Sequence, residues 1–372
     1  MKKISIYIRA KDVSPSGYYR ILQYTHRLKG KYLVHNVLPP SYYRWYLAVK
    51  HKVWLPLLLD AFTYLLMYVR CIFFLLSDCV NKMDVVIVSR GLLPKYFLFP
   101  IPGLFRKLLC RSGKLIWDFD DDILLSGEIS KHEYGFLCRN SNSIFVTHSY
   151  LAGRIDGEYS DKVTVLPTTD GDFSSINIQA LLAERKKTFE RELILVWTGS
   201  AVNLVHLEAA IPALDACASI YREKYGRTIA LNVCSSAPLV CSTRHLVVNN
   251  VAWSREKAVE VIKYSHIGIM PLLPSQYSLG KGGFKLIQYM AAGLPVIGSD
   301  VGFNQSIIKN KNGCLIHDMG NQAEWMDALS LFGVDFRSYN DAAIGSLFEW
   351  EKHYPAKNNL EIWSEAIGVP VQ

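Results

Sequence analysis

A glycine-rich turn that carries two lysines is the part of this chain best suited to chemistry. Residues 280–285 spell Gly-Lys-Gly-Gly-Phe-Lys and stand directly ahead of a helical pattern. Glycines let backbone N–H groups crowd a ligand, and the N-terminus of the following helix adds about half a positive charge. Lys281 and Lys285, four residues apart, add two full charges that could face one ligand. The pattern predicts a diphosphate site; an ordinary surface loop before a helix is the alternative.

Residues on both sides of this turn could complete a nucleotide site. Gln288 lies one helical turn beyond Lys285 and could reach ribose hydroxyls attached to the diphosphate. Earlier in the chain, Thr-Gly-Ser at 198–200 follows an apolar strand and places small residues at a helix start, which suits a phosphate or sugar contact. The predicted nucleotide-binding residues are Gly199, Ser200, Lys281, Gly282, Gly283, Lys285 and Gln288.

Four carboxylates crowd the end of a predicted strand, where residues 117–122 spell Trp-Asp-Phe-Asp-Asp-Asp. One interpretation is a divalent-metal site, because Mg²⁺ and Mn²⁺ prefer oxygen ligands. Another is that a carboxylate orients or deprotonates a substrate hydroxyl. A third is that some of the aspartates cap a helix that begins at Ile123. We expect two of them to cap and one or two to act, Asp120 first and Asp118 second, with no metal bound.

Two other strand ends in the first half give weaker signals. Gly17 and Arg20 lie in Ser-Gly-Tyr-Tyr-Arg after the first strand, where the single glycine could mark a turn that contacts a phosphate or another substrate group, or a plain turn between strand and helix. His148 follows another strand and could line the same site, although a lone histidine is also compatible with a structural role.

The composition favours a two-domain protein of a reducing compartment. At 372 residues the chain exceeds one typical core, and half of its residues are hydrophobic. The eight cysteines lack C-x-x-C spacing, which predicts reduced thiols in the cytosol rather than a disulfide framework or a zinc site. Met1-Lys2-Lys3 leads straight into a strand-like run without a cleavable apolar core, so we expect no signal peptide.

The positive charge is concentrated at the N-terminal end. Residues 1–120 hold 19 Lys and Arg against 6 Asp and Glu, a net charge of +13, whereas the remainder holds 22 against 27, a net charge of −5. This asymmetry indicates that the N-terminal part meets a polyanion. Because no helix-turn-helix, RNP-like or zinc-finger pattern is present, we expect an anionic membrane surface rather than nucleic acid.

An apolar run, Val53–Ser77, is long enough to cross a bilayer by residue count. Asp60 and Arg70 interrupt it, and the strands predicted on either side belong to one sheet, which argues against spanning. The run could instead lie in the membrane interface or pack against its own domain. The flanking basic and aromatic residues suit a headgroup boundary: Tyr42, Tyr43, Arg44, Trp45, Tyr46, Lys50, His51, Lys52 and Trp54.

Strand-like and helix-like segments alternate through both halves of the chain, which predicts parallel, doubly wound sheets. In the first half, Ile4–Ile8 precedes a helix from Tyr18 to about Lys29. In the second, Leu193–Trp197 precedes a helix from about Asn203 to Lys224. The polar segment 169–191 is predicted to be the domain linker.

The second half resembles the donor-binding region of retaining glycosyltransferases of the GT-B fold, family four (glycosyl transferases group one). In that family a glutamate, seven residues and a second glutamate precede Ala-Met-Ala-x-Gly-x-Pro-Val. Here Gly280 and Gln288 take the places of the two glutamates, ahead of Met-Ala-Ala-Gly-Leu-Pro-Val at 290–296. A subset of the family with Gly-Lys and Phe-Lys at these positions is the nearest likeness.

This resemblance implies an α/β protein with the GT-B fold, in which two doubly wound Rossmann-like domains face a central cleft. Residues 1–172 would form an N-terminal acceptor-binding lobe, and residues 190–345 a C-terminal nucleotide-sugar-binding domain. A C-terminal helix at about 350–372 would pack back on the first lobe. GT-B enzymes generally work without a metal, so the resemblance implies no cofactor, with the nucleotide sugar as substrate.

The predicted function is transfer of a sugar, with retention, from a nucleotide-sugar donor to a glycan or lipid-linked acceptor. We expect a cytoplasmic protein, peripheral on the inner face of the cell membrane, acting in polysaccharide biosynthesis such as that of lipopolysaccharide or capsule. Because the first glutamate is missing, a non-catalytic nucleotide- or glycan-binding protein of the same fold remains an alternative, and a GT-B sugar epimerase is another.

Overall fold

The computed structural model describes residues 1–11, 13, 15–49 and 55–372, which form two compact units. The first unit comprises Met1–Thr168 with Lys357–Gln372, and the second comprises Thr169–Ala356. The segment expected to be a linker, 169–191, instead belongs to the second unit and contains a helix, Ile178–Phe189. The buried Arg185 on that helix donates to the carbonyl oxygens of Ala292 and Gly293 at 2.8 Å each, which the polar composition did not indicate.

The first unit is built on a six-stranded parallel sheet in the order β2-β1-β3-β4-β5-β6. Its central strands are buried along their whole length, because helices cover both faces of a parallel sheet. The strands are β1 Lys3–Ile8, β2 Lys31–Asn36, β3 Val85–Ser89, β4 Leu115–Phe119, β5 Ser143–Val146 and β6 Val163–Val165.

The helices described between these strands range from single turns to 26 residues. They are α1 Pro15–Gly17, a π-helix Tyr18–Leu22, α2 Gln23–Thr25, α3 Pro40–Val49, α4 Pro56–Asn81, α5 Ile101–Ser112, α6 Lys131–Asn140, α7 Ser149–Ala152 and a 3-10 helix Gly157–Lys162. The predicted helix from Tyr18 to about Lys29 therefore begins earlier and ends at Thr25.

The second unit has a second six-stranded parallel sheet, in the order β12-β11-β10-β7-β8-β9. Its strands are β7 Glu192–Gly199, β8 Thr228–Ser235, β9 Val247–Ala252, β10 Ile267–Met270, β11 Val296–Ser299 and β12 Gly313–Ile316. Its helices, numbered along the chain, are α8 Ile178–Phe189, α9 Leu204–Glu208, α10 Ile211–Tyr225, α11 Arg255–Lys263, α12 Gln276–Leu279, α13 Phe284–Ala291, α14 Asn304–Ile307, α15 Gln322–Gly333 and α16 Phe336–His353, with a 3-10 helix Ala201–Asn203.

The predicted single helix from Asn203 to Lys224 is broken into α9 and α10, which meet at 55°. The break lies just ahead of Pro212, which cannot donate a helical hydrogen bond. The chain ends in α17, Ala356–Ile367. Residues after Ala356 belong to the first unit, where Asn359 donates to the carbonyl oxygen of Pro167 at 2.8 Å and Trp363 lies edge-on to Phe145.

Helix α4 packs one face against the first sheet and leaves the other uncovered. Its inner face carries the buried Asp78, which accepts hydrogen bonds from Tyr7 at 2.7 Å and His35 at 2.8 Å. The strands on either side of it, β2 and β3, both pair with β1, as expected from the sequence. Lys50, His51, Lys52, Val53 and Trp54, which belong to the apolar run and its flank, lie outside the described residues, as does Ser14.

Candidate functional site

The glycine–lysine turn lies at the N-terminus of α13, as its sequence predicted. Gly280 ends α12, and Gly283 precedes α13 with a left-handed φ of +63°. A Cβ atom at 283 would also stand 2.2 Å from the Ile307 Cδ1 atom. Glycine is therefore required at this position both by its backbone conformation and by the space available.

The two lysines of the turn rest on aromatic rings of the second unit. The Lys281 ammonium lies 4.2 Å from the centre of the Tyr277 ring and donates to its hydroxyl at 3.1 Å. The Lys285 ammonium lies 5.4 Å from the centre of the Trp197 ring on β7. Both side chains are only partly exposed. These aromatic contacts support the lysine stems and hold both positive charges beside the turn.

His206 on α9 lies close enough to these two lysines for their charges to act on its imidazole. Burial, followed by the Lys281 and Lys285 charges, lowers its pKa from 6.5 to about 4, so the imidazole is neutral at pH 7. Its Nδ1 atom accepts a hydrogen bond from the Leu273 backbone at 3.1 Å, which leaves the proton on Nε2. No sequence signal pointed to this residue, because it reaches the turn from a separate helix.

Gly199 and Ser200 occupy the end of β7 next to this turn. A Cβ atom at Gly199 would stand 2.6 Å from Trp197 ring carbon Cη2 and 3.0 Å from Lys285 Cε. Ser200 is exposed and accepts a hydrogen bond from the Asn203 side chain at 2.8 Å. The structure thus brings Gly199 to Lys285, as a shared phosphate site would require.

Gln288 is almost fully buried, which its expected ribose contact did not anticipate. Its Nε2 atom donates to Asp170 Oδ2 at 2.7 Å, and Thr198 Oγ1 lies 3.5 Å from its Oε1 atom. Burial, with the neighbouring Asp172 charge, raises the pKa of Asp170 from 3.8 to about 7. The next residue on α13, Tyr289, accepts a hydrogen bond from the Thr198 backbone at 2.8 Å and so ties α13 to β7.

In the first unit, Asp120 stands just beyond β4 and carries an ion pair. Its carboxylate accepts from the Arg90 guanidinium and from the Ser16 hydroxyl, and its side chain is 16% exposed. Arg90 also forms a bidentate pair with Glu128, with distances of 2.6 and 2.9 Å. The strand ends of β3 and β4 and helix α1 therefore meet at one partly open carboxylate.

Arg90 was missed by the sequence analysis although it organises this cluster. It is a non-glycine residue with a left-handed φ of +65°. Its backbone N–H donates to the Asp118 carbonyl at 2.7 Å, and its own carbonyl accepts from the Trp117 indole at 2.7 Å. These two backbone bonds hold an uncommon conformation in place.

Asp118 and Arg20 form a buried clamp and are both fully enclosed. The Arg20 guanidinium donates to both Asp118 oxygens at 2.7–3.0 Å, and also to the Leu166 carbonyl and the Thr168 hydroxyl at 2.9 Å each. With its oxygens engaged in this way, Asp118 joins the π-helix Tyr18–Leu22 to the sheet. Its expected catalytic role and the expected acceptor contact of Arg20 stay predictions that this geometry does not favour.

The structure differs from three other expectations, which concern the helix at Ile123, the turn at Gly17 and the exposure of His148. Residues after Asp122 form turns, not a helix at Ile123; Asp122 accepts from the Leu125 N–H at 3.0 Å, and the next helix is capped by Ser130. Gly17 ends a short helical turn, with φ of −58°, instead of forming a glycine turn. His148 is 2% exposed at the start of α7, so the expected ligand contact would require it to become accessible.

The aspartate cluster does not have the arrangement of a metal site. Among residues 1–11, 13, 15–49 and 55–372, no group of three or more His, Cys, Asp and Glu is placed to hold a metal ion. A metal-independent reaction stays a prediction.

The chain is similar to a known protein family in its second unit and to solved structures over its whole length. Residues 195–332, within the second unit, match the family described as "Glycosyl transferases group 1". Solved structures with matching folds include HepE of Anabaena in complex with UDP-glucose, at 8% identity and a TM-score of 0.66, covering 99% of this chain and 100% of that one. The chain has the GT-B fold of glycosyltransferases. The predicted fold class is confirmed.

Two further structures share this fold. The UDP-forming trehalose-phosphate synthase of Burkholderia xenovorans has a TM-score of 0.59 at 9% identity, with 99% of both chains covered. S. aureus TarM, a mutant in complex with fondaparinux, α-GlcNAc-glycerol and UDP, has a TM-score of 0.50 at 14% identity, covering 80% of this chain and 58% of that one. No curated protein sequence matches the chain.

The matched segment contains all of the residues predicted to bind the nucleotide sugar, from Gly199 to Gln288. The match and the shared fold support a transferase enzyme that uses a nucleotide sugar. Membership of family four and retention of configuration stay predictions.

Proposed function

We propose that this protein transfers a sugar, with retention of anomeric configuration, from a nucleotide-sugar donor held by the second unit to a glycan or lipid-linked acceptor held by the first. Transfer would take place at the cytosolic face of the membrane, in the synthesis of a polysaccharide such as lipopolysaccharide or capsule. Retention, the acceptor and the cellular setting rest on the sequence resemblance and on the surface features described below.

The positive charge concentrated at the α13 turn is the main observation that supports this proposal. Lys281, Lys285 and the N-terminus of α13 concentrate positive potential beside Gly199, whose missing side chain lets Lys285 and Trp197 pack there. Burial, together with the charges of these lysines, lowers the pKa of His206 to about 4 and keeps it neutral. A leaving nucleoside diphosphate gains negative charge as the glycosidic bond breaks, so these groups would stabilise the transition state more than the bound donor.

The carboxylate of Asp120 would act on the acceptor. Arg90 and Ser16 fix its position, and its partial exposure leaves an edge available to a hydroxyl. Asp120 would orient that hydroxyl and receive its proton during transfer. TarM, crystallised with UDP and α-GlcNAc-glycerol, gives an example of a nucleotide and a glycan bound to this fold.

The uncovered face of α4 supports the membrane part of the proposal. Among the described helices, α4 is the single unbent one long and apolar enough to cross a membrane, yet its inner face is tied to the sheet. Its outer face carries a continuous apolar stripe at helical spacing, and each of these side chains is 47–82% exposed. The stripe consists of Leu57, Leu58, Phe62, Leu65, Val69, Phe73, Leu76 and Val80.

Neighbouring elements extend this stripe. Tyr64 and Tyr68 on α4 donate to the carbonyl oxygens of Tyr96 and Phe99, which brings a second exposed apolar segment alongside; Phe99 is 87% exposed. Arg44 and Trp45 on α3 are exposed next to it. Because the apolar stripe lies in the part of the chain with a net charge of +13, we assign it to an anionic lipid surface.

Turnover of a nucleotide sugar tests the proposed reaction. A thermal-shift panel of UDP-, GDP-, ADP- and CDP-sugars selects a donor, and release of the free nucleoside diphosphate is then followed with glycan or lipid-linked acceptors. Release that rises with acceptor supports transfer. A donor that binds without any release would support the non-catalytic alternative, and interconversion of free sugar nucleotides would support an epimerase.

A further inference from the structure

The donor helix contains a buried amide–carboxylate pair that replaces a glutamate of the resembled family. Gln288 stands where that family has its second glutamate, and its Nε2 atom donates to Asp170 Oδ2 at 2.7 Å. Asp170 is fully buried, and Gln288 is 3% exposed. A glutamate at 288 would place two carboxylates in direct contact without water to screen them. The amide at 288 therefore suits the acid at 170.

Asp170 is itself held from two sides. Its other oxygen, Oδ1, accepts the backbone N–H of Asp172 at 2.7 Å. The preceding residue, Thr169, accepts from the Trp350 indole at 3.0 Å and donates to the Tyr354 carbonyl. The carboxylate consequently has little freedom to turn away from Gln288.

The direction of the Gln288 amide follows from this pairing. Above about pH 7 Asp170 is ionised and only accepts hydrogen bonds. The NH₂ group of Gln288 then faces Asp170, and its carbonyl oxygen faces the opposite way, where Thr198 Oγ1 lies 3.5 Å away at the end of β7. Thr198 adjoins Gly199, and Lys285 lies one turn before Gln288. The orientation of one amide is thus fixed within the predicted nucleotide site.

We propose that Asp170 is a positioning residue for donor binding, and that it orders, through Gln288, the ribose contact expected of that side chain. This inference rests on the proposed function, because it assumes that α13 binds a nucleotide. Asp170 does not touch the donor; it determines which atom of the amide is presented. Because burial and the Asp172 charge raise the pKa of Asp170 to about 7, the carboxylate holds the amide in this orientation most firmly above that pH.

An exchange of the two groups tests this role. Asp170→Asn lets the facing amides adopt either orientation, and Gln288→Glu sets two acids against each other. In the double variant, the new amide at position 170 would donate to the new carboxylate at position 288, so the pair is restored with its members exchanged. Glu184→Gln, which alters an exposed carboxylate on α8 that pairs with Lys187 at 2.6 Å, is the matched control.

Calorimetry on the full chain first identifies which of UDP, GDP, ADP and CDP binds most tightly. It then measures the affinity for that nucleotide and for its 2′-deoxy form. We expect Asp170→Asn and Gln288→Glu each to weaken ribonucleotide binding about tenfold and to reduce discrimination against the deoxy form. The double variant should recover most of the affinity and of the discrimination, and Glu184→Gln should leave both unchanged. Recovery of the discrimination in the double variant is the result that a merely structural role of either side chain would not give.

Three possible results would contradict, respectively, the positioning role of Asp170, the pairing with Gln288 and the proposed function. If the wild type binds and discriminates while Asp170→Asn does the same, the positioning role is wrong and the proposed function stands. If the double variant shows no recovery, the pairing is not what orders the amide. If the wild type binds none of the four diphosphates, the proposed function fails and the inference fails with it.

Discussion

Lys285 and Gly199 lie against each other in the second unit, so closely that a Cβ atom at 199 would stand 3.0 Å from Lys285 Cε. The same atom would stand 2.6 and 2.9 Å from two ring carbons of Trp197, whose side chain is buried and cannot retreat. The close packing of Lys285 and Trp197 against the end of β7 therefore depends on the missing side chain.

Gly199→Ala should reduce nucleoside diphosphate affinity by about tenfold, because the methyl group displaces the Lys285 side chain from its present place. Thermal shift and calorimetry on the folded variant measure the effect. Gly157→Ala is the control, since a Cβ atom there meets no neighbour within 4 Å. Equal affinities for Gly199→Ala and the wild type would remove Gly199 from the site.

Asp120→Asn should depress kcat by about a hundredfold while leaving nucleoside diphosphate binding nearly unchanged, because an amide accepts a proton poorly. Steady-state kinetics with a responsive acceptor, beside the exposed Asp161→Asn as a control, gives the split between kcat and affinity. A fully active Asp120→Asn would exclude the acceptor role.

Excess EDTA should leave turnover unchanged, because the described residues offer no cluster of metal ligands. If activity instead vanishes with chelator and returns with Mg²⁺ or Mn²⁺, the aspartates beyond β4 would have to be interpreted as contributing to metal binding.

The α4 stripe should bind anionic vesicles. Attraction of the basic residues fades with salt, whereas inserted apolar groups respond to salt less, so binding should be partial in high salt and not abolished. Changing both Phe62 and Phe73 to Ser should lower co-sedimentation several-fold. Phe348→Ser, at a 57% exposed phenylalanine of the second unit, should not.

Three results would contradict the lipid assignment in different ways. Wild type that ignores vesicles at low salt, while dimerising through the stripe, would indicate a second copy as the occupant. Wild type that ignores vesicles as a monomer would make the acceptor soluble. Protein that resists carbonate extraction would indicate that α4 spans the membrane, against the topology of the first sheet.

Glu133 should make stability depend on pH. Its oxygens accept the Leu92 and Leu93 N–H groups at 2.5 and 3.4 Å, and burial raises its pKa from 4.5 to about 7. The folded state binds the proton more tightly than the unfolded chain, so this contribution is full below about pH 4.5 and is lost as pH rises through about 7.

Denaturant unfolding at about pH 5 and about pH 8 measures this difference. Glu133→Gln should show a smaller decrease in the unfolding free energy over that interval than the wild type, and the exposed Glu158→Gln serves as control. Identical pH dependence for Glu133→Gln and the wild type would mean that Glu133 does not titrate in this range.

Local patterns were enough to predict the fold and the donor turn. Alternating apolar runs located both sheets, and the glycines and lysines ahead of α13 are neighbours in sequence. The Arg20–Asp118 clamp and the Gln288–Asp170 pair join residues 98 and 118 positions apart, so no local spacing could indicate them. Arg90 was missed for a related reason: its left-handed backbone is imposed by Asp118 and Trp117, which belong to the next strand.

The affinity of a nucleoside diphosphate for Lys285→Ala tests the central claim most directly. Charge-assisted hydrogen bonds contribute about 1.5–3 kcal/mol, so removing this one should weaken binding by about tenfold or more. Lys257→Ala, at an exposed lysine paired with Glu260, is the control. Calorimetry should show the loss in Lys285→Ala alone. Unchanged affinity in the folded Lys285→Ala protein would contradict the assignment of the α13 turn as the diphosphate site.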